Sequence, residues 1–280
     1  MRRKIIVKVI GAWIAGSFVA AGILQRKAEN SVFSADAMTP VRHRKMILYE
    51  KYIKRAFDII CASAALTFLS PLYLLIGGLI RFRLGKPVIF VQERPGIIGE
   101  DGKEKIFKMY KFRTMADERD EEGNLLPDDV RMSEFGKKLR ASSLDELPEA
   151  INILNGTMSV IGPRPQLVKD MVFMSERQRQ RHTAKPGLSG LAQVKGRNSV
   201  KWDDKLEWDL KYIEDISLKT DFRILWTTFK QILFHMNLNT DAEELKLAAD
   251  YGDALLEEGK ITKDEYICMQ KKAKSILENR

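Results

Sequence analysis

The amino-acid sequence predicts a mainly helical α+β protein lying against a membrane. Three features lead there. An uncharged apolar run from Ile59 to Ile80 is interrupted at Ser70-Pro71, two extended runs flank a turn between Pro87 and Met115, and helical patterns fill much of the chain beyond Met132. The 280 residues carry 47 Lys+Arg against 38 Asp+Glu, a formal charge of +9. That excess suits an anionic membrane surface or phosphorylated substrates. It does not point to nucleic acid, because Lys and Arg flank apolar segments or sit in phosphate-like motifs and no nucleic-acid-binding motif occurs. The cysteines Cys61 and Cys268 form no disulfide framework or thiolate metal pattern. His43, His182 and His235 are too scattered for a zinc site and read as surface or structural residues.

Taken in order, residues 5–24 form a first apolar segment with basic flanks, long enough for a membrane helix and also shaped like a signal peptide. The richer Lys/Arg content after it favours a retained helix with the rest of the chain in the cytoplasm. The second segment, at roughly 22 residues and ~1.5 Å each, would barely cross a bilayer. Its flanks are basic at both ends: Lys51, Lys54 and Arg55 before, Arg81, Arg83 and Lys86 after. Both ends therefore ask for the same side of the membrane. A break at Ser70-Pro71 would leave two arms of about 11 residues, each ~16 Å, able to enter one leaflet and return. A spanning helix kinked at proline is the alternative.

PVIFVQERPG and EDGKEKIFKMYKFRTM read as a small β-hairpin turning at Gly99, Asp101 and Gly102, with Lys111 and Arg113 on one face. Residues 116–129 read as an acidic, solvated loop, and helices are expected over 132–140, 144–154 and 168–182. In TDFRILWTTFKQILF a Thr220/Asp221 cap precedes a stripe of Phe222, Leu225, Trp226, Phe229, Ile232 and Leu233. Such a stripe packs in a core or lies on a bilayer surface. Near the C-terminus, two helices joined by a Gly-containing turn carry a Thr262/Glu265 capping box and no candidate chemistry. The expected organisation is an N-terminal membrane or signal-like segment (1–27), a linker (28–50), the broken membrane segment (51–84), a catalytic domain (85–237) and a helical-hairpin module (238–280).

Three constellations favour phosphate chemistry. In SSLDELPEAINIL, Asp145 and Glu146 open a helix, where Ser143 and Glu146 fit a capping box and Pro148 suits a first turn. Adjacent carboxylates can alternatively hold a divalent cation and present an oxygen nucleophile to phosphorus. In VIGPRPQLV, the prolines on either side of Arg164 pre-organise a guanidinium whose fork matches phosphate oxygens. In KPGLSGLAQVKGRN, Gly187, Gly190 and Gly196 permit close backbone approach to a ligand, with Gln193 and Arg197 as polar heads.

From Tyr52 to Leu233 the chain resembles the bacterial sugar transferases known as monotopic phosphoglycosyl transferases. The resemblance rests on an ordered set of strings: KRAFDI, the Ser70-Pro71 break, QERPG, KMYKFRTM, SLDELPE, N-x-L-x-G-x-M-S-V-I-GPRP and PGLSGLAQVKGRN. It implies transfer of a sugar 1-phosphate from a UDP-sugar to polyprenyl phosphate at the cytoplasmic face of the bacterial inner membrane. It also implies a re-entrant helix hairpin bent at Ser70 and Pro71. Asp145 would be the nucleophile, forming a covalent phosphosugar with loss of UMP, and Glu146 would assist the polyprenyl phosphate step. Mg2+ would sit at Asp145 and Glu146. Lys111, Arg140, Arg164 and Arg197 would clamp phosphate groups, and Gln193 and Arg94, which fall within the motif strings, would join them in binding the substrate phosphates. The C-terminal hairpin resembles a short module appended to many bacterial proteins, for which association with a second copy or with pathway glycosyltransferases is expected. A magnesium-dependent nucleotide-sugar hydrolase and a non-catalytic membrane adaptor are the alternatives.

Overall fold

The protein is described by a computed structural model covering residues 41, 44–196, 201–234 and 250–278. The N-terminal apolar segment, the polar linker to Pro40, Arg197, His43 and His235 lie outside the described residues. A π-helical turn, Tyr49–Lys54, runs into α1, Arg55–Phe68, which is followed after Leu69 by α2, Ser70–Arg83. The axes bend by 62° at this break. Pro71 falls in the first turn of α2, where no intrahelical N–H is needed, and the Ser70 hydroxyl donates to the Thr67 carbonyl at 2.8 Å. The proline therefore starts a helix instead of damaging one. No described helix alone is long and apolar enough to cross a membrane, although the bent pair together has the length and composition. The expected hairpin is an open V, because a 62° bend leaves the arms splayed instead of antiparallel. Phe57, Ile60, Phe68, Leu74, Leu75 and Phe82 project from it exposed.

Both arms are rooted in the domain that follows. Strands β1, Ile89–Ile98, and β2, Glu104–Phe112, pair antiparallel with Phe90 opposite Lys111, as the two extended runs predict. Next come α3, Asp128–Arg131, α4, Glu134–Ala141, and, after a tight turn, α5, Glu149–Asn155. Arg113 lies one residue past β2, where its guanidinium donates to the carbonyls of Lys86 and Leu84 just beyond α2. Arg55 donates to the Ile153 and Leu154 carbonyls at 2.6 and 2.7 Å, satisfying the open end of α5. Asp58 accepts from Ser159 Oγ and Val160 N at 2.9 and 2.8 Å. Asn152 docks α5 onto β2, accepting from Tyr110 N and donating to Lys108 O, so the buried amide completes the strand edge.

A second, two-stranded sheet was not foreseen: β3, Ser159–Ile161, lies parallel to β4, Gly187–Ser189. It also corrects the role expected of the glycines. A Cβ on Gly187 would lie 2.1 Å from Gly162 N, and one on Gly190 would lie 2.2 Å from Gly162 O. Close approach is needed there by backbone, not by a ligand. The helix expected over 168–182 is divided into α6, Val168–Met171, and α7, Glu176–Arg179, because Ser175 caps a new start with Gln178. A 3-10 turn, Gln180–Thr183, follows and buries His182 against Glu104, a structural role.

The remaining helices are α8, Leu191–Gly196, α9, Trp202–Glu214, α10, Leu218–Leu233, α11, Tyr251–Glu257, and α12, Lys263–Glu278. Ser217, not Thr220/Asp221, caps α10, accepting from Thr220 N at 3.2 Å. Asp221 is instead buried and accepts from Tyr49 Oη (2.8 Å), Lys54 Nζ (2.5 Å) and Tyr212 Oη (2.8 Å). The polarity of α10 is consequently inverted. Its buried side carries Thr220, Asp221, Ile224 and Gln231, while Phe222, Trp226, Phe229, Ile232 and Leu233 are exposed. The Thr262/Glu265 box starts α12 as expected.

Asp221→Ala would leave the Lys54 ammonium buried without its carboxylate, a loss of about 3–5 kcal/mol for such breaks. Urea unfolding should show that loss; a change under 1 kcal/mol would remove Asp221 as the tie between α10 and the root of α1.

Candidate active site

The site begins where α4 ends. Ser143 adopts φ 56°, left-handed, and its N–H closes on Arg140 O at 2.9 Å. The chain then tightens into a 3-10 turn, Leu144–Glu146. The expected capping box is absent: in this conformation the Ser143 side chain makes no cap bond, and Asp145 and Glu146 precede α5 instead of opening it. Pro148 occupies the position just before α5. Tyr73 of α2 donates to Leu147 O at 2.6 Å, so the membrane-type arm and the carboxylate turn are tied together.

Glu146 Oε1 accepts from Lys111 Nζ at 2.8 Å and Arg164 Nη2 at 2.6 Å. Lys111 Nζ also lies 3.2 Å from Glu149 Oε1, a carboxylate 3% exposed that carries no expected role despite standing in SLDELPE. Burial pushes Glu146 up, but the charges and hydrogen bonds of Arg164 and Lys111 outweigh it and hold the carboxyl low. Burial and the neighbouring Glu146 charge push Glu149 up instead. Asp145 is buried and takes no hydrogen bond among the described residues. Burial, then repulsion from Glu146, raise it to about 6 against the pull of Lys111, Arg140 and Arg164. Arg140 reaches this neighbourhood from α4, donating through Nε to Thr114 Oγ1 at 3.0 Å.

The Arg164 loop is held from behind. Arg181 Nη2 donates to the Arg164 carbonyl at 2.5 Å, and Arg181 Nε and Nη2 donate to Asp209 Oδ2 at 2.9 and 2.6 Å, a pair almost wholly buried. Arg94 donates to Pro165 O at 3.2 Å and to Gln92 Oε1 at 2.6 Å. Burial and the Arg164 charge push Arg94 down to about 10. The same two causes lower Lys205, one helical turn before Asp209 on α9, whose ammonium lies 5.3 Å from the Trp202 ring centre and takes no carboxylate partner among the described residues. Arg94, Arg164 and Lys205 thus crowd like charges that an anionic ligand would relieve.

The expected residues Asp145, Glu146, Lys111, Arg140 and Arg164 therefore converge, with Arg94 behind the arginine loop. Gln193 does not join them by contact: its Nε2 donates to Leu188 O at 3.0 Å and its Oε1 is buried without a partner. Glu149, Arg181, Asp209 and Lys205 were missed, and of these only Glu149 lay inside a singled-out string. Among the described residues no cluster of three or more His, Cys, Asp or Glu side chains could hold a metal. The unpartnered Asp145 carboxylate and Glu146 Oε2 still fit Mg2+, which takes one or two carboxylates and draws its other ligands from phosphate and water.

The carboxylates and the cations around them thus sit on a helix-rich fold with an exposed apolar V. The family of bacterial sugar transferases matches residues 49–235, and the chain belongs to it. It is 43% identical over 181 residues to the uncharacterized sugar transferase EpsL of Bacillus subtilis, covering 65% of this chain and 87% of that one. It is 38% identical over 185 residues to a UDP-glucose:undecaprenyl-phosphate glucose-1-phosphate transferase of Klebsiella pneumoniae, covering 62% of this chain and 39% of that protein. A UDP-N-acetylgalactosamine-undecaprenyl-phosphate N-acetylgalactosaminephosphotransferase of Aeromonas hydrophila is 37% identical over 193 residues, covering 65% and 44%. The chain spans less than half the length of these last two.

Lys111→Met should destabilise the fold by about 3 kcal/mol at pH 8, where the Glu146 carboxylate would stay buried with one cation fewer and Glu149 would lose its partner. The deficit should shrink at pH 5, because without the ammonium both carboxyls hold their protons more tightly and can neutralise. Urea unfolding at the two pH values tests this; a deficit independent of pH contradicts it.

Proposed function

We propose that the protein transfers a sugar 1-phosphate from a UDP-sugar to polyprenyl phosphate by way of a phosphosugar on Asp145. The observation that carries this reading is a buried Asp145 carboxylate, raised to about 6 and free of protein hydrogen bonds among the described residues, beside three cations. A carboxylate with a raised pKa is a better nucleophile and is still ionised at neutral pH. Its oxygen attacks the phosphorus attached to the sugar, and the bond from that phosphorus to the oxygen of UMP breaks, releasing UMP. An oxygen of polyprenyl phosphate then attacks the same phosphorus, breaking the bond to Asp145 and restoring the carboxylate. Arg164 and Lys111 balance phosphate charge in both steps, and Arg140 steadies Asp145. Glu146, held ionised between Lys111 and Arg164, keeps those cations aimed and is the group closest in sequence to assist the second step. Magnesium held at Asp145 and Glu146 would neutralise diphosphate charge and that developing on the leaving UMP.

The names of the relatives support undecaprenyl phosphate as acceptor. They differ in their sugars, including glucose and N-acetylgalactosamine, so the sugar stays a class: a UDP-linked hexose or N-acetylhexosamine. The membrane arrangement follows from the same chemistry. Two 14-residue arms, each ~21 Å, bent by 62° reach a depth of only ~11 Å when both ends stay at the surface. That is within one leaflet of the inner membrane. The outward aromatic face of α10 would rest in the same interface, with the catalytic domain cytoplasmic.

Asp145→Asn should abolish UMP release from UDP-sugars while the protein still sediments with membranes; normal turnover by this variant would overturn the covalent route. In the wild type, kcat/KM for UMP release should fall as pH drops below about 6, because the raised carboxyl takes up its proton there. A flat profile from pH 5 to 8 would show that the Asp145 carboxyl is not raised in the working enzyme.

A further inference from the structure

The C-terminal hairpin, α11 and α12, lies outside the residues matched by the family and was expected to serve association. Its apolar side is already covered within the chain. Tyr251, Leu255, Ile261, Met269 and Ala273 form one buried cluster with Val168, Met171, Val172, Phe173 and Met174. The fit is close: Phe173 stacks on Tyr266 with centroids 5.8 Å apart, and a Cβ on Gly252 would lie 2.5 Å from a Phe173 ring carbon. Of the large apolar side chains on the described hairpin, Ile267 alone is exposed. The described residues of the hairpin therefore offer little apolar surface to another protein.

The docked hairpin reaches the active site through two short links. Asp170 Oδ1 accepts the Tyr251 N–H at 2.9 Å, and Oδ2 accepts the Leu167 N–H at 3.2 Å, three residues beyond Arg164. Lys169, beside it, pairs with Asp250. On the other flank Tyr251 packs on Trp202 with centroids 5.2 Å apart, and the Lys205 ammonium lies 5.3 Å from the centre of the same indole. One carboxylate and one indole therefore join the hairpin to the Arg164 loop and to Lys205.

We propose that the C-terminal hairpin acts in cis as a positioning element, fixing the Arg164 loop through Asp170 and Lys205 through Trp202. It rests on the transferase reading above for what those cations bind. Asp170 and Tyr251 are positioning residues, since neither touches the carboxylates or takes part in the chemistry. A small displacement of a phosphate-binding loop can cost one to two orders of magnitude in rate.

The test uses the full chain with Gly252→Leu, which overlaps Phe173 while strengthening helix propensity, and Asp170→Asn as a milder second variant. Hydrogen exchange should quicken over residues 164–171 in both variants, and kcat/KM for UMP release should fall about tenfold in Gly252→Leu. Introduced into an Arg164→Lys, Lys205→Met background, Gly252→Leu should add little further loss, because both residues it positions are already impaired. Unchanged exchange over 164–171, or losses that multiply in the combined variant, would overturn the proposal. A wild-type chain that released no UMP would count against the transferase reading, and the exchange measurement would still decide the positioning role.

Discussion

One carboxylate oxygen holds the site together. Glu146 Oε1 is shared by Lys111 from β2 and Arg164 from the loop after β3, so three segments that meet nowhere else in sequence are fixed by one acceptor. Burying a single carboxylate there would cost several kcal/mol, and burying two cations without it would cost more. The cluster is stable only as a set, and this explains its surroundings. Glu149 takes the remaining contact of Lys111, and Arg181 with Asp209 secures the backbone of Arg164. Asp145 is left beside this set with the cations near it but none bonded to it, a suitable state for a group that must form a bond of its own.

A second constraint is geometric. In the proposed reaction a lipid phosphate sits at a bilayer surface and a nucleotide sugar arrives from water, so the chemistry would have to be held at the boundary. The open V of α1 and α2 and the outward aromatic face of α10 provide apolar surface on the outside of the fold, while buried polar groups hold the inside. In α10 the usual arrangement is reversed because Asp221 must face inward to meet Lys54, Tyr49 and Tyr212. The same buried carboxylate thus anchors the root of α1 and turns Trp226 and Phe229 outward. Tyr73 continues the connection by holding the carbonyl of Leu147, two residues from Asp145.

The local punctuation of this fold was legible in the sequence. Ser70-Pro71 marks the bend, the two extended runs form the hairpin, and Thr262 with Glu265 starts the last helix, since each is decided by neighbours a few residues away. The convergence of Asp145, Glu146, Lys111, Arg140 and Arg164 followed from an ordered set of motif strings, not from any one spacing. What local patterns misjudged was the use of residues whose partners are remote. Ser143 looked like a cap and instead carries the left-handed turn. Asp221 looked like part of a cap and instead meets a residue 167 positions away. Gly187 and Gly190 looked like a ligand cradle and instead let β4 approach Gly162. Three-residue strands such as β3 and β4 have too few positions to show a period of two. Arg181 and Asp209 carried no signal, because each is an ordinary charge in a charged helical stretch until the fold buries them together.

The central claim is that Asp145 becomes covalently loaded, and intact-mass measurement addresses it directly. The purified protein, given a competent UDP-sugar and magnesium but no polyprenyl phosphate, should gain the mass of one sugar phosphate with release of one equivalent of UMP. Peptide mapping should place the added mass on Asp145, and later addition of polyprenyl phosphate should remove it. UMP release with no adduct, or an adduct on another residue, would contradict the account.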